Sequence, residues 1–172
     1  EREGHGHALY ARAMERADAD QQNLHSELQA TLAGAPGLSL HLQPQIDLAS
    51  AACIGCEALL RSQRSNGDQV PPPHTLAAIE RLGQRGAFTR WLLQQAAQIQ
   101  HRLAAAGIGI SLSINVSAHD LLDPELPDLI AQSLATWEIA PERLLLELTE
   151  TLMVEETPQV VDVLQRLRRQ GL

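Results

Sequence analysis

The order of secondary-structure signals predicts an α/β fold: a partial (β/α) barrel with an antiparallel first strand, preceded by a helical linker. Three observations lead there. Two opening strand candidates, Leu38 to Leu48 and Cys53 to Ser62, are joined by a few small residues, too few for a parallel crossover. After them the helix and strand signals run α-α-β-α-β-α, the rhythm of parallel units. Each strand candidate also has one polar and one apolar face. Helices need an apolar sheet face to cover, so the polar columns fall inside a curved sheet.

Residues from about Leu9 to Leu32 read as a helix, with Leu24, Leu28 and Leu32 at i, i+4 spacing. Gly34-Ala35-Pro36-Gly37 ends it. His5 and His7 read as part of a flexible terminus rather than as a metal pair. After the opening hairpin, Arg64 to Asp68 and Pro71-Pro72-Pro73 make a loop. A short helix is expected near Thr75 to Leu82. A longer one runs from about Phe88 to Ala106, with Leu92, Ala96, Ile99 and Leu103 as its apolar stripe. Ile110 to Ala118 is the third strand, Pro127 to Trp137 a helix, and Leu144 to Leu148 the fourth strand. Thr157 as N-cap and Pro158 in the first turn open a last helix. Its expected buried face is Val160, Val161, Val163, Leu164 and Leu167, and Gly171 marks its end.

The composition limits the functions available. At 172 residues and 44% hydrophobic, the chain can build a core, mostly from aliphatic residues because aromatics make up only 2%. A net charge of −8 argues against binding a DNA or RNA polymer, where affinity comes from neutralising phosphates. A small anionic ligand remains compatible, since a metal ion or a local Arg reverses the sign within a pocket. No apolar run approaches a membrane span, so no membrane contact is expected from this segment. The chain opens on Glu, which suggests a piece of something longer. Cys53 and Cys56 form a CxxC, but residues three apart on a strand face opposite ways, so they read as small structural thiols.

Sorting the strands by parity isolates the candidate chemistry. His41, Gln43 and Gln45 share one face of the first strand; Leu40, Leu42 and Ile46 share the other. Glu57, Leu59 and Arg61 oppose Cys56, Ala58 and Leu60. Ser111, Ser113, Asn115 and Ser117 oppose Leu112, Ile114 and Val116, and Glu147 with Thr149 opposes Leu146 and Leu148. Taken singly, Glu57 also fits an ion pair with Arg61, and Asn115 fits a hydrogen-bonded core amide. Together with Glu147 at the matching strand end, they form a set of hard oxygen donors suited to Mg²⁺ or Mn²⁺. Metal-assisted phosphodiester hydrolysis uses such a cluster.

These residues belong to a longer series. Gln43-Pro44 comes first, then Gly55 with Glu57-Ala58-Leu59-Leu60-Arg61, then Glu80 and Gly83. Trp91-Leu92-Leu93, Gln95-Ala96, Asn115-Val116-Ser117-Ala118 and Glu147-Leu148-Thr149-Glu150 follow. In this order and spacing the motifs resemble the N-terminal half of an EAL domain, the bacterial cyclic di-GMP phosphodiesterase family, over about Leu40 to Leu172. Ala8-Leu9-Tyr10-Ala11 is similar to the closing helix of a GGDEF domain. The implied organisation is residues 1–37 as a helical linker and GGDEF-like tail, and residues 38–172 as the half EAL domain. Ser62 stands where the family usually has Trp, and Thr75-Leu76-Ala77 replaces a usual Phe-Ile-Pro.

The resemblance implies a modified TIM barrel whose first strand runs against the rest. It makes Glu57, Asn115 and Glu147 metal ligands, and places Gln43, Leu59 and Arg61 around the substrate, with Arg61 near a phosphate. Glu150 would steady an active-site loop. The implied reaction opens cyclic di-GMP to linear pGpG with two Mg²⁺ or Mn²⁺ ions. The remaining catalytic residues are expected beyond Leu172, so this segment should be inactive alone within an active parent. The alternatives are a degenerate receptor that binds cyclic di-GMP without cleaving it, or a protein-interaction module. A homodimer through the complete domain and a cytoplasmic location are further expectations, whether or not the parent has a membrane anchor.

Overall fold

A computed structural model describes residues 22–148 and 157–172. The chain divides into two compact units, Glu1–Ser39 with Arg61–Arg85, and Leu40–Leu60 with Gly86–Leu172. The expected readings of His5, His7, Ala8 to Ala11, Thr149 and Glu150 fall outside the described residues.

In the first unit, helix α1 covers residues 22–32 and buries Leu28 and Thr31. The end of strand β2 (Cys53–Gln63) pairs antiparallel with a two-residue strand, β3 (Gln69–Val70), through Ser62↔Val70 and Gln63↔Gln69. Helix α2 (Pro72–Arg81) buries Thr75, Ala78 and Ile79. It starts at Pro72, earlier than the sequence signal at Thr75, because Pro is preset for a helix's first position. Gly37 has φ 143°, and a Cβ there would sit 2.6 Å from Thr31 Oγ1, so this close approach requires glycine. The Arg64 Nε and the Ser65 hydroxyl both donate to the Glu27 carboxylate, the former at 3.3 Å. Chiefly through Ser65, and also through Arg64, these contacts hold Glu27 below the usual carboxylate range.

The second unit contains most of the five-stranded sheet. Strands β1 (Leu38–Ile46), β2, β4 (Ser111–Val116) and β5 (Leu144–Leu148) lie in the order β1-β2-β4-β5. β2 and β4 are parallel, as are β4 and β5. β1 and β2 are joined by residues 47–52, a link that permits only the antiparallel arrangement. Asp47 builds this turn, its Oδ1 accepting from the backbone N–H groups of Ala49 (3.0 Å) and Ser50 (2.7 Å).

Helices α3 (Arg85–Ala105), α5 (Leu126–Thr136) and α6 (Pro158–Arg169) supply the core facing the apolar side of the sheet. Cys56, Ala58, Leu112, Ile114, Val116 and Leu144 come from the strands; Leu92, Leu93, Ala96, Ile130, Leu134, Val160, Val163 and Leu167 come from the helices. Ile114 is fully buried, and truncating it to Ala costs about 2–5 kcal/mol. Thr157 caps α6 as expected, accepting from the Val160 N–H at 3.3 Å. The buried stripe of α6 is narrower than its sequence suggests, because Val161 and Leu164 each remain 40% exposed. The apolar face of β1 also departs from expectation. Leu40 packs on the core, but Leu42 and Ile46 stay exposed at this edge strand. β4 ends at Val116, short of the predicted end at Ala118, and a four-residue helix, α4 (Ala118–Leu121), begins there.

One buried polar group aligns the strands at their N-terminal ends. Gln100 on α3 donates through Nε2 to the carbonyls of Ile110 (3.1 Å) and Arg143 (2.7 Å), just ahead of β4 and β5. Burying the amide is tolerable because its donors are matched. Losing it would leave strand-end carbonyls unsatisfied, at about 1–3 kcal/mol for a buried group.

Candidate metal centre

The register brings the predicted donors together. Glu57 pairs with Ser113, and Asn115 pairs with Glu147. Because side chains alternate, Glu57, Ser113, Asn115 and Glu147 lie on one face, opposite the buried Ala58, Ile114 and Leu146 side. Asn115 is two residues past Ser113, which puts it diagonally across from Glu57. Its Nδ2 donates to Glu57 Oε1 at 2.8 Å. Glu57 and Glu147 are half-buried, and Asn115 is exposed. Each residue sits toward the C-terminal end of its paired segment, the end where parallel α/β sheets build their sites.

The local sequence explains this placement. Leu112, Ile114 and Val116 are 5% exposed or less, so they pin β4 and turn its odd positions the other way. Ser113, only 1% exposed, fills the space beside Glu57 without blocking Asn115. Gly55, in register with Ser111, has the same parity as Glu57. A Cβ on Gly55 would lie 2.7 Å from Gln45 Oε1 and 2.9 Å from Ser111 Oγ. The Gln45 amide therefore lies over Gly55, which identifies the face that the odd positions of β1 share. The sequence places Gln45 on the same face as Gln43, and the glycine two residues before Glu57 leaves room for its amide.

The other predicted residues divide by position. Gln43 is exposed on the same face of β1 as Gln45, and Leu59 is half-buried on the same face of β2 as Glu57. Arg61 continues the alternation of β2, but it belongs to the first compact unit and is half-buried there. Its assignment to a phosphate rests on the resemblance alone. Glu150 lies outside the described residues. Cys53 is exposed and Cys56 buried, both as free thiols. Their side chains turn to different carbonyls, Gly55 and Ser111, as a strand requires.

Among the described residues there is no cluster of three or more His, Cys, Asp or Glu side chains. The donor set expected from the sequence is two carboxylates and one amide. This chemistry fits a hard divalent cation such as Mg²⁺ or Mn²⁺, which takes oxygen ligands and leaves other positions to water or substrate. It fits soft, thiolate-seeking metals poorly.

The fold and these side chains define a class: a mixed α/β sheet with a parallel β2-β4-β5 core, consistent with part of a TIM-like barrel, with acid and amide side chains toward its strand ends. The chain belongs to the EAL domain family, whose model matches residues 25–172. It is 30% identical over 169 residues to the cyclic di-GMP phosphodiesterase PA2567 of Pseudomonas aeruginosa, covering 98% of this chain and 29% of that protein. It is 29% identical over 136 residues to the oxygen sensor protein DosP of Escherichia coli, covering 78% of this chain and 17% of that protein. The chain thus spans under a third of the length of these curated relatives. Among solved structures, it resembles the PaMucR phosphodiesterase in its c-di-GMP complex with a TM-score of 0.69 at 26% identity, covering 80% of this chain and 57% of that one. The Xanthomonas citri FimX EAL domain in complex with c-diGMP has the same fold, with a TM-score of 0.78 at 23% identity over 91% of this chain and 60% of that one.

Proposed function

We propose that this chain contributes the metal-holding strands of a cyclic di-GMP phosphodiesterase, which hydrolyses the cyclic dinucleotide to linear pGpG. The observation that carries the reading is the convergence of Glu57, Asn115 and Glu147 on one face, with Asn115 bonded to Glu57 and in register with Glu147. Phosphodiesterase relatives and ligand-bound neighbours supply the substrate.

Glu57, Asn115 and Glu147 hold the cation, which on our reading is Mg²⁺ or Mn²⁺, with two ions in the complete domain. A bound divalent cation supplies Lewis acidity, drawing off negative charge that develops on the phosphodiester. The chain's own residues do the rest of the positioning. The carboxylates of Glu57 and Glu147 offset the positive charge, and strands pinned by Ile114 and Leu144 keep the donors from spreading. Gln43 and Leu59 line the substrate side of the same sheet face, Arg61 pairs with a phosphate, and Glu150 steadies an active-site loop. On this reading residues 1–172 bind a single ion and do not turn the substrate over unaided. The setting is cytoplasmic; among the described residues, no helix is long and apolar enough to cross a membrane.

The test is Mn²⁺ titration of this chain, followed by paramagnetic broadening of its NMR resonances, beside hydrolysis of cyclic di-GMP by the full-length protein. Broadening should centre on Glu57, Asn115 and Glu147, and Glu57→Gln should abolish both broadening and turnover. Turnover that survives Glu57→Gln, or broadening centred elsewhere, overturns the assignment. Binding of cyclic di-GMP without pGpG formation would instead make the parent a receptor.

A further inference from the structure

The geometry points to Asp120 as a positioning residue that holds the end of β4, and with it Asn115, in place for the metal centre. This rests on the reading just proposed. Asn115 is exposed, so packing does little to fix its side chain. Directly after β4, Ser117 and Asp120 form a capping box. The Ser117 N–H donates to Asp120 Oδ2 at 2.9 Å, and the Ser117 hydroxyl donates to the same oxygen. The Asp120 N–H returns a bond to Ser117 Oγ at 3.3 Å. The other carboxylate oxygen, Oδ1, accepts from Thr89 Oγ1 on α3 at 2.9 Å.

One carboxylate therefore ties the backbone two residues beyond Asn115 to a helix whose Leu92, Leu93, Ala96 and Ala97 are buried. α4 has only four residues, too few for a capping box to be explained by helix stability, since a first turn costs more than it returns. The consequence of the box lies in the chain direction as it leaves β4. A fixed exit holds the strand end at which the Asn115 amide meets Glu57. Groups bonded directly to a ligand typically change metal affinity by about 10–100-fold when removed, and Asp120, which acts through the backbone, falls at the low end of that range.

The experiment follows two readouts in the 172-residue chain: exchange protection of the Asn115 side-chain amide by NMR, and Mn²⁺ affinity. Asp120→Ala should lose the protection and bind Mn²⁺ about 10-fold more weakly. Asp120→Glu should recover both, because Ser-x-x-Glu rebuilds the capping box. Thr89→Val, which keeps the box and removes the hydroxyl that donates to Asp120, should give an intermediate loss; it carries the test where Asp120→Ala does not fold. Arg166→Ala breaks the ion pair to Asp128 between α6 and α5, and should lower stability while leaving both readouts unchanged. A folded Asp120→Ala, or Thr89→Val in its place, with parental amide protection and Mn²⁺ affinity overturns the proposal. Unchanged Mn²⁺ binding in Glu57→Gln overturns the metal centre instead, and the amide readout still judges Asp120.

Discussion

Replacing Asn115 with Asp tests the convergence of the three strands without assuming any reaction. The native amide donates to Glu57 Oε1 at 2.8 Å and stands in register with Glu147. A carboxylate in its place loses that bond and faces two acids. Unit charges about 4 Å apart interact by roughly 1 kcal/mol in water and roughly 4 kcal/mol near a protein surface. Because Asn115 is exposed, the lower value applies, and losing the hydrogen bond adds about 1 kcal/mol. The expected deficit is about 3 kcal/mol, which lowers Tm by about 6–12 °C in a domain of this size. It exists only while the introduced carboxyl is ionised. Neighbouring negative charges raise that group's folded pKa above its unfolded value, so the deficit is full at neutral pH and fades as pH falls toward about 4. Mn²⁺ should also abolish it by neutralising the acids. Thermal unfolding followed by circular dichroism, in low salt with EDTA or with Mn²⁺, measures each part. If Asn115→Asp melts within about a degree of the parent at pH 7 in EDTA, and Mn²⁺ shifts neither protein, the three side chains do not share a site.

Three further outcomes follow from other parts of the chain. Glu27 is held below its ordinary value of 4.5 by Ser65 and Arg64, so its contribution is present above that value and lost as pH falls through the lowered one; Glu27→Gln should flatten this acid limb when urea midpoints are compared across pH. Burial pushes the Cys56 thiol up while Cys53 is exposed, so a thiol reagent at pH 8 should modify one cysteine quickly and the second only on unfolding. Ala51 adopts φ 56° in the β1–β2 turn, a strained value for a residue with a Cβ, and Ala51→Gly should raise stability by about 0.5–1 kcal/mol in urea unfolding.

The sequence alone made much of this legible. Alternation in β2, β4 and β5 separated Glu57, Asn115 and Glu147 from the apolar columns, and the short link after Ile46 required an antiparallel first strand. Thr157-Pro158 announced α6, where cap chemistry is local and independent of the rest of the fold. Parity assigns a side chain to a face because alternation is a property of one strand. It cannot say which residue of the next strand lies alongside. That register is set by Ile114, Leu112 and Leu144 finding their places in a common core, and it alone set Asn115 against Glu57 and in line with Glu147. The same limit hid Gln100, whose polar amide is buried because the carbonyls ahead of two separate strands accept its protons, and Asp120, which reads as a surface acid until Thr89 is brought beside it from α3. Residue type and local period determined the strands and their faces. The packing of distant apolar side chains decided which of those faces met, because distances across strands depend on contacts that no single segment contains.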